Sequence, residues 1–214
     1  MADPFSNLGS SDFGSEANDL RYFVAALLST VRTTGPVKVL SVTNSGGVSP
    51  IGYVNVQPLV GQVDGLGNIV PHATIYNVPY MRVQGGANAV ILDPQVGDVG
   101  LAAFCDRDIS AVKASGGASG PGSRRKFDMS DAVYLFSIMA TAPTQYVEFN
   151  TTGITVHSPT KVTISAPAIA TSGTWNHTGT LVSTGNITAG GIDLETHNHT
   201  GVQPGSSNTG GPTG

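Results

Sequence analysis

The sequence predicts a mainly β protein: an N-terminal helix, a small barrel, and a tail whose strands close a core only against copies of themselves. Three observations lead to this architecture. Glycine (28 residues) and proline (13) are frequent enough to favour turns and strands over helices. Apolar residues alternate at period two in most ordered-looking stretches, and recur at helical spacing in one short stretch. Charge then thins abruptly: from Asn150 to Gly214 the charged residues are Lys161, Asp193 and Glu195.

The helix is expected from about Asn18 to Arg32. Leu20, Phe23, Val24, Leu27, Leu28 and Val31 form one apolar stripe at i, i+3, i+4, i+7, i+8 and i+11. Asn18 is the expected N-cap, and Gly35-Pro36 ends the run. Such a stripe must be buried, by default against the neighbouring domain, otherwise around a symmetry axis or on a partner. Strands are then expected at 36–43, 51–59, 69–83, 98–106 and 131–139. In the first, Val37, Val39 and Ser41 share a face; in the second, Val54 and Val56 oppose Tyr53, Asn55 and Gln57. Five strands in about 100 residues suit a closed Greek-key barrel of the OB type. Residues 112–128, rich in glycine, are expected to be a long mobile loop. Its basic run Arg124-Arg125-Lys126 is expected to be solvated, with partner docking as the alternative.

Past Thr141 the alternation continues in short runs: Ile154 and Val156, then Val162, Ile164 and Ala166, then Ile187 and Ala189, then Ile192 and Leu194. Each run is too narrow to enclose a core in one chain. Disorder is the competing reading of so many glycine, serine and threonine residues. Against it stand the period-two valines and isoleucines, Trp175, and histidines at 157, 177, 197 and 199. An intertwined three-chain β-prism accommodates them, with apolar residues of three chains meeting on an axis. The resulting segments are 1–34 with the helix, 35–141 for the OB-type barrel, 142–194 for the triple-stranded β-helix, and 195–214 for an apex.

The apex carries the sharpest motif: Glu195-Thr196-His197-Asn198-His199-Thr200-Gly201-Val202, followed by a glycine-rich end. On an extended strand His197 and His199 share a face and can address one metal ion. Three chains would supply six nitrogens, an octahedral set that suits iron(II), nickel or cobalt better than four-coordinate zinc. His157 and His177 are read as ordinary strand residues.

The stretch from Glu195 to Pro212 resembles the apex of the central spikes of contractile-tail phages, the baseplate assembly protein V class and the related membrane-puncturing spikes. Residues from Asp19 to Met139 resemble the barrel-bearing half of the puncturing subgroup more loosely. The resemblance implies an OB barrel, a triple-stranded β-helix and a metal-tipped apex in that order. It implies one buried iron ion per homotrimer, held by His197 and His199 of each chain. It also implies a seat on the baseplate hub protein, the host outer membrane as target, and a place at the tail tip of the virion after synthesis in the host cytoplasm.

Other functions fit the residues less well. No Gly-x-Ser-x-Gly elbow, phosphate loop or paired-carboxylate cleft is present, and no histidine follows His199, so an enzyme is not expected. The lone Cys105 is read as a small buried strand residue, with no base to activate it. A net charge of −4 and few clustered cations argue against nucleic acid. A trimeric tail fibre or receptor-binding adhesin shares the threonine-rich style, but the chain tapers to glycine rather than to a recognition head. No run reaches the roughly 20 apolar residues of a membrane span, and the polar, acidic Met1–Asp19 stretch is unlike a secretory leader.

Overall fold

The computed structural model describes residues 16–44, 47–198, 201 and 205. The chain divides into two compact units, Met1–Pro159 and Thr160–Gly214. The first opens with α1 (Glu16–Leu28), followed by β1 (Thr34–Val42), β2 (Tyr53–Pro58), β3 (Gln62–Val63), β4 (Ile69–Val70) and β5 (Ile75–Pro79). Then come β6 (Val83–Gly85), β7 (Asn88–Val90), β8 (Val99–Phe104), α2 (Ser110–Ser115), β9 (Ala132–Ser137), β10 (Tyr146–Asn150) and β11 (Gly153–His157). The second unit holds β12 (Thr188–Ala189) and β13 (Ile192–Asp193).

Five strands form one antiparallel sheet in the order β5-β2-β1-β8-β9. Its outermost strands approach each other: Tyr80, just past β5, bridges to Tyr134 of β9, and Met81 N donates to Tyr134 O at 2.8 Å. The sheet therefore curls on itself. Register shifts in β1, in the β2–β5 pairing and in the β8–β9 pairing supply the bends. Inside the curl lie Val37, Val39, Val54, Val56, Val78, Tyr80, Ala102 and Tyr134, all buried. Strand β2 alternates as expected, with Val54 and Val56 inward and Tyr53, Asn55 and Gln57 half-buried. Gly100 is required where Tyr134 crosses β8. A Cβ there would press on Tyr134 Oη and lie 2.5 Å from the carbonyl oxygen of Phe136.

Several expectations are corrected. Ser41 does not follow Val37 and Val39 inward, because the shift between Val39 and Ser41 changes the parity of the strand. The 69–83 strand is three pieces: Pro71 offers no ladder donor after β4, and β5 and β6 are separate strands. The helix holds Asn18 in its first turns rather than at its cap and ends at Leu28, short of Arg32. There Thr30 N and Val31 N tighten to i−3 bonds, while Ser29 Oγ and Thr30 Oγ1 donate to the carbonyls of Ala26 and Leu27 at 2.7 Å. Its apolar stripe is not packed on the sheet: Phe23 is 69% and Leu27 70% exposed.

The glycine-rich 112–128 segment is anchored at both ends. It enters through α2, and Arg125 reaches back to two buried carboxylates, with Nε 2.7 Å from Asp131 Oδ2 and Nη2 2.9 Å from Asp108 Oδ1. Arg125 is thus a structural cation rather than a solvated one, because two buried carboxylates need a counter-charge. A second buried pair, Arg82–Asp93, is bidentate, with Arg82 Nη1 also donating to Ser49 O at 2.6 Å. Cys105 lies just after β8, not within it, and is half-buried; burial and Asp131 push its thiol up, away from the reactive thiolate.

Candidate functional site

Beyond the curled sheet the described residues form surfaces rather than a core. Strands β10 and β11 pair with each other, with Val147 opposite Val156 and Phe149 opposite Ile154. Alternation places these four on one face, and all four are exposed, Phe149 at 74%. The other face carries Glu148 opposite Thr155, and Tyr146 stacked on His157 at 5.1 Å. Asn150 closes the turn, its Oδ1 accepting from Thr152 N at 2.9 Å and Gly153 N at 3.1 Å. A two-stranded hairpin with a bare apolar face is marginal in water.

From Thr160 to Ile187 no strand is assigned among the described residues, so the runs at Val162–Ala166 and at His177 are not strands within one chain. Trp175 is exposed. Among the described residues, no strand pairing is assigned between residues 162 and 186.

The apex is organised by a hairpin that the sequence reading did not identify. Gly190 and Gly191, with φ of 60° and 83°, turn β12 into β13. The glycine pair between two alternating runs was the available signal. Ala189 faces Ile192, and Leu194 N donates to Ile187 O at 2.8 Å. Ile187, Ala189, Ile192 and Leu194 thereby line one shallow apolar concavity, and His197 joins them at its edge. On the other side Thr188 Oγ1 donates to Asp193 Oδ1 at 2.5 Å.

His197 does not sit on an extended strand. Residues 194–196 turn, and His197 N donates to Asp193 O, four residues back, at 3.1 Å. That turn brings the ring to the apolar concavity. Its Nδ1 lies 3.0 Å from Leu194 O. A carbonyl oxygen only accepts, so Nδ1 is the donor in this contact, and Nε2 is the ring nitrogen that a metal would take. A backbone carbonyl fixing the second ring nitrogen is the usual support of a ligating histidine. The donor chemistry therefore fits a metal at Nε2. No group of three or more histidine, cysteine or acidic residues comes together among the described residues. His199, the other expected ligand, lies outside the described residues.

Two family matches bracket the molecule. Residues 50–137 match the Phage protein Gp138 N-terminal domain, and residues 191–213 match the GpV Apex motif. The first covers the sheet from β2 to β9, and the second begins in the glycine turn of the apical hairpin and includes His197. No curated protein matches the chain. Together the two matches indicate a phage central-spike, baseplate protein V-like protein. The context is that of a structural, tail-associated protein of the virion.

Proposed function

We propose that the chain is the homotrimeric tail-tip spike of a contractile phage, which pierces the host outer membrane as the tail contracts. The observation that carries this reading is the bare apolar face of β10–β11, in a segment that leads toward an apex motif. Three copies of Val147, Phe149, Ile154 and Val156 can meet on an axis and exclude water, which one copy does not do. The backbone between residues 162 and 186, which carries no assigned strand, gains strand partners from neighbouring chains by the same step. The curled sheet is read as an OB barrel that seats on the baseplate hub. No enzymatic role is assigned.

Puncture needs a narrow end that does not fray, and chain ends are where fraying starts. His197 and His199 of three chains would hold one iron ion, or another octahedral transition metal, whose coordination cross-links the ends when bound. The Leu194 carbonyl orients each His197 ring, and the apolar hairpin beside it keeps water from the tip. Native mass measurement with elemental analysis tests the reading. Three chains and one metal ion per particle are expected; a folded single chain, or one metal ion per chain, would overturn it.

A further inference from the structure

His197 reaches the apical concavity because of the direction in which the chain leaves β13, and one side chain across the hairpin bears on that departure. The β12–β13 ladder pairs Thr188 with Asp193 and Ala189 with Ile192, and Leu194 N extends it by donating to Ile187 O at 2.8 Å. One step further along this register Asn186 stands opposite Glu195. There Glu195 N donates to a side chain, Asn186 Oδ1, at 3.3 Å. We propose that Asn186 is a positioning residue for the His197 metal ligand, acting through the backbone of Glu195. The inference rests on the reading of His197 as a ligand at the spike apex, and adds to it a residue that lies ahead of the matched apex residues 191–213.

A side-chain acceptor suits the place where the strand ends. A carbonyl on a short side chain satisfies the Glu195 amide without a second backbone running alongside it, so residues 194–196 can turn. In that turn His197 N donates to Asp193 O at 3.1 Å, and the ring Nδ1 stands 3.0 Å from Leu194 O. Glu195 lies in the chain between these two acceptors and the ring, so the orientation of its peptide sets where Nε2 points. Chemistry assigns Oδ1 rather than Nδ2 to the contact, because a backbone N–H only donates. Asn186 is held in turn by the chain before it. Ser183 Oγ donates to Gly185 O at 2.6 Å, closing the bend at 184–185 that leads into β12. The bond at Glu195 is exposed and adds little to stability. Its contribution is direction.

The test uses the full chain loaded with iron(II), with native mass taken on each variant. Asn186→Leu keeps the bulk and removes the acceptor. It is expected to release iron(II) to a bipyridine chelator about tenfold faster than the unaltered protein, with three chains retained. Asn186→Asp puts an oxygen back at the same place and should return release to the original rate. Hydrogen exchange on the metal-free protein separates the restored acceptor from the added charge. The Glu195 and His197 amides should lose protection in Asn186→Leu and regain it in Asn186→Asp, while the Leu194 amide stays as it was. If Asn186→Leu loses the trimer, Asn186→Ala replaces it; loss of the trimer there too would overturn the proposal, since Asn186 would then hold chains together rather than a ring. Unchanged release from an intact Asn186→Leu trimer, an unchanged Glu195 amide, or no recovery in Asn186→Asp would overturn it while leaving the spike reading standing. An unaltered protein that is a single chain, or that holds no iron(II), would overturn both.

Discussion

Val56 and Phe149 are both apolar residues on antiparallel strands, yet one is fully buried and the other is 74% exposed. The difference lies in what each strand can reach. Strand β2 has β1 and β5 on either side, and the curl of the sheet folds its inner face onto β8 and β9. The β10–β11 hairpin has one neighbour and nothing over its apolar face. The sheet thus carries its own core, while the segments after it carry half of one. The same alternation of valine and isoleucine closes a core in the first case and leaves an exposed apolar face in the second.

The largest effect that can break this contrast is a charge on the hairpin. Phe149→Glu is expected to reduce the native mass from three chains to one, because three carboxylates would have to share a dry axis. The melting of the curled sheet should stay close to that of the unaltered protein. An intact trimer carrying Phe149→Glu would show that this face is not the interface. Tyr134→Ala makes the opposite cut. It empties the sheet core beneath β8 and should cost about 3–5 kcal/mol of sheet stability, read by denaturant unfolding, with the trimeric mass retained. Gly100→Ala should cost about 1–3 kcal/mol in the same assay, because the new methyl group meets the backbone at Phe136. Loss of the trimer in either variant would mean that the tail depends on the sheet.

The parts legible in the sequence were those governed by nearest neighbours along the chain. The inward valines of β1 and β2, the dense strand β9 and the stripe of α1 all follow from periodicity. The parity change in β1 did not, because it depends on register against β2 rather than on the run Val37–Thr43. The roles of Arg125 and Arg82 were also hidden. Asp108, Arg125 and Asp131 meet only because α2 and the loop after it fold back, and no local pattern encodes that closure. At the apex the His-x-His spacing was legible, but the turn that withdraws His197 from a strand needs the Asp193 carbonyl and could not be read from alternation.

A smaller effect is expected in acid, and it sharpens the contrast by acting on the sheet unit alone. The Ser110 hydroxyl and amide, the Ser123 hydroxyl and Arg125 hold the Asp108 carboxyl down to about 2, against the opposing pull of burial. Hydrogen bonds from Ser130 lower Asp128 in the same direction. A carboxyl depressed in the folded state adds stability that is present above its ordinary value of 3.8 and is lost as pH falls toward about 2. The sheet should therefore weaken between about pH 4 and pH 2, with the loop around Arg125 releasing first. Asp108→Asn should lower stability at neutral pH and flatten that acid limb. An unchanged limb in thermal melts across the range would remove Asp108 from the account.

The smallest effect on the fold, and the most local, is expected at the tip. His197→Ala together with His199→Ala should abolish bound metal while the native mass stays at three chains, because the apolar faces upstream do not use the ion. Fraying should be confined to residues from about Asp193 onward, with the amides of Asp193, Leu194 and His197 exchanging faster and those of β12 unchanged. A milder change separates support from ligation. The Leu194 carbonyl belongs to the backbone and survives side-chain substitution, so Leu194→Ala keeps the acceptor for His197 Nδ1 while shrinking the apolar wall beside the ring. Metal should then be retained but released faster to a chelator, since water reaches the site more readily. If Leu194→Ala loses metal as completely as the double histidine variant, the hairpin wall is part of the site itself. If the double variant keeps its full metal content, these histidines are not the ligands.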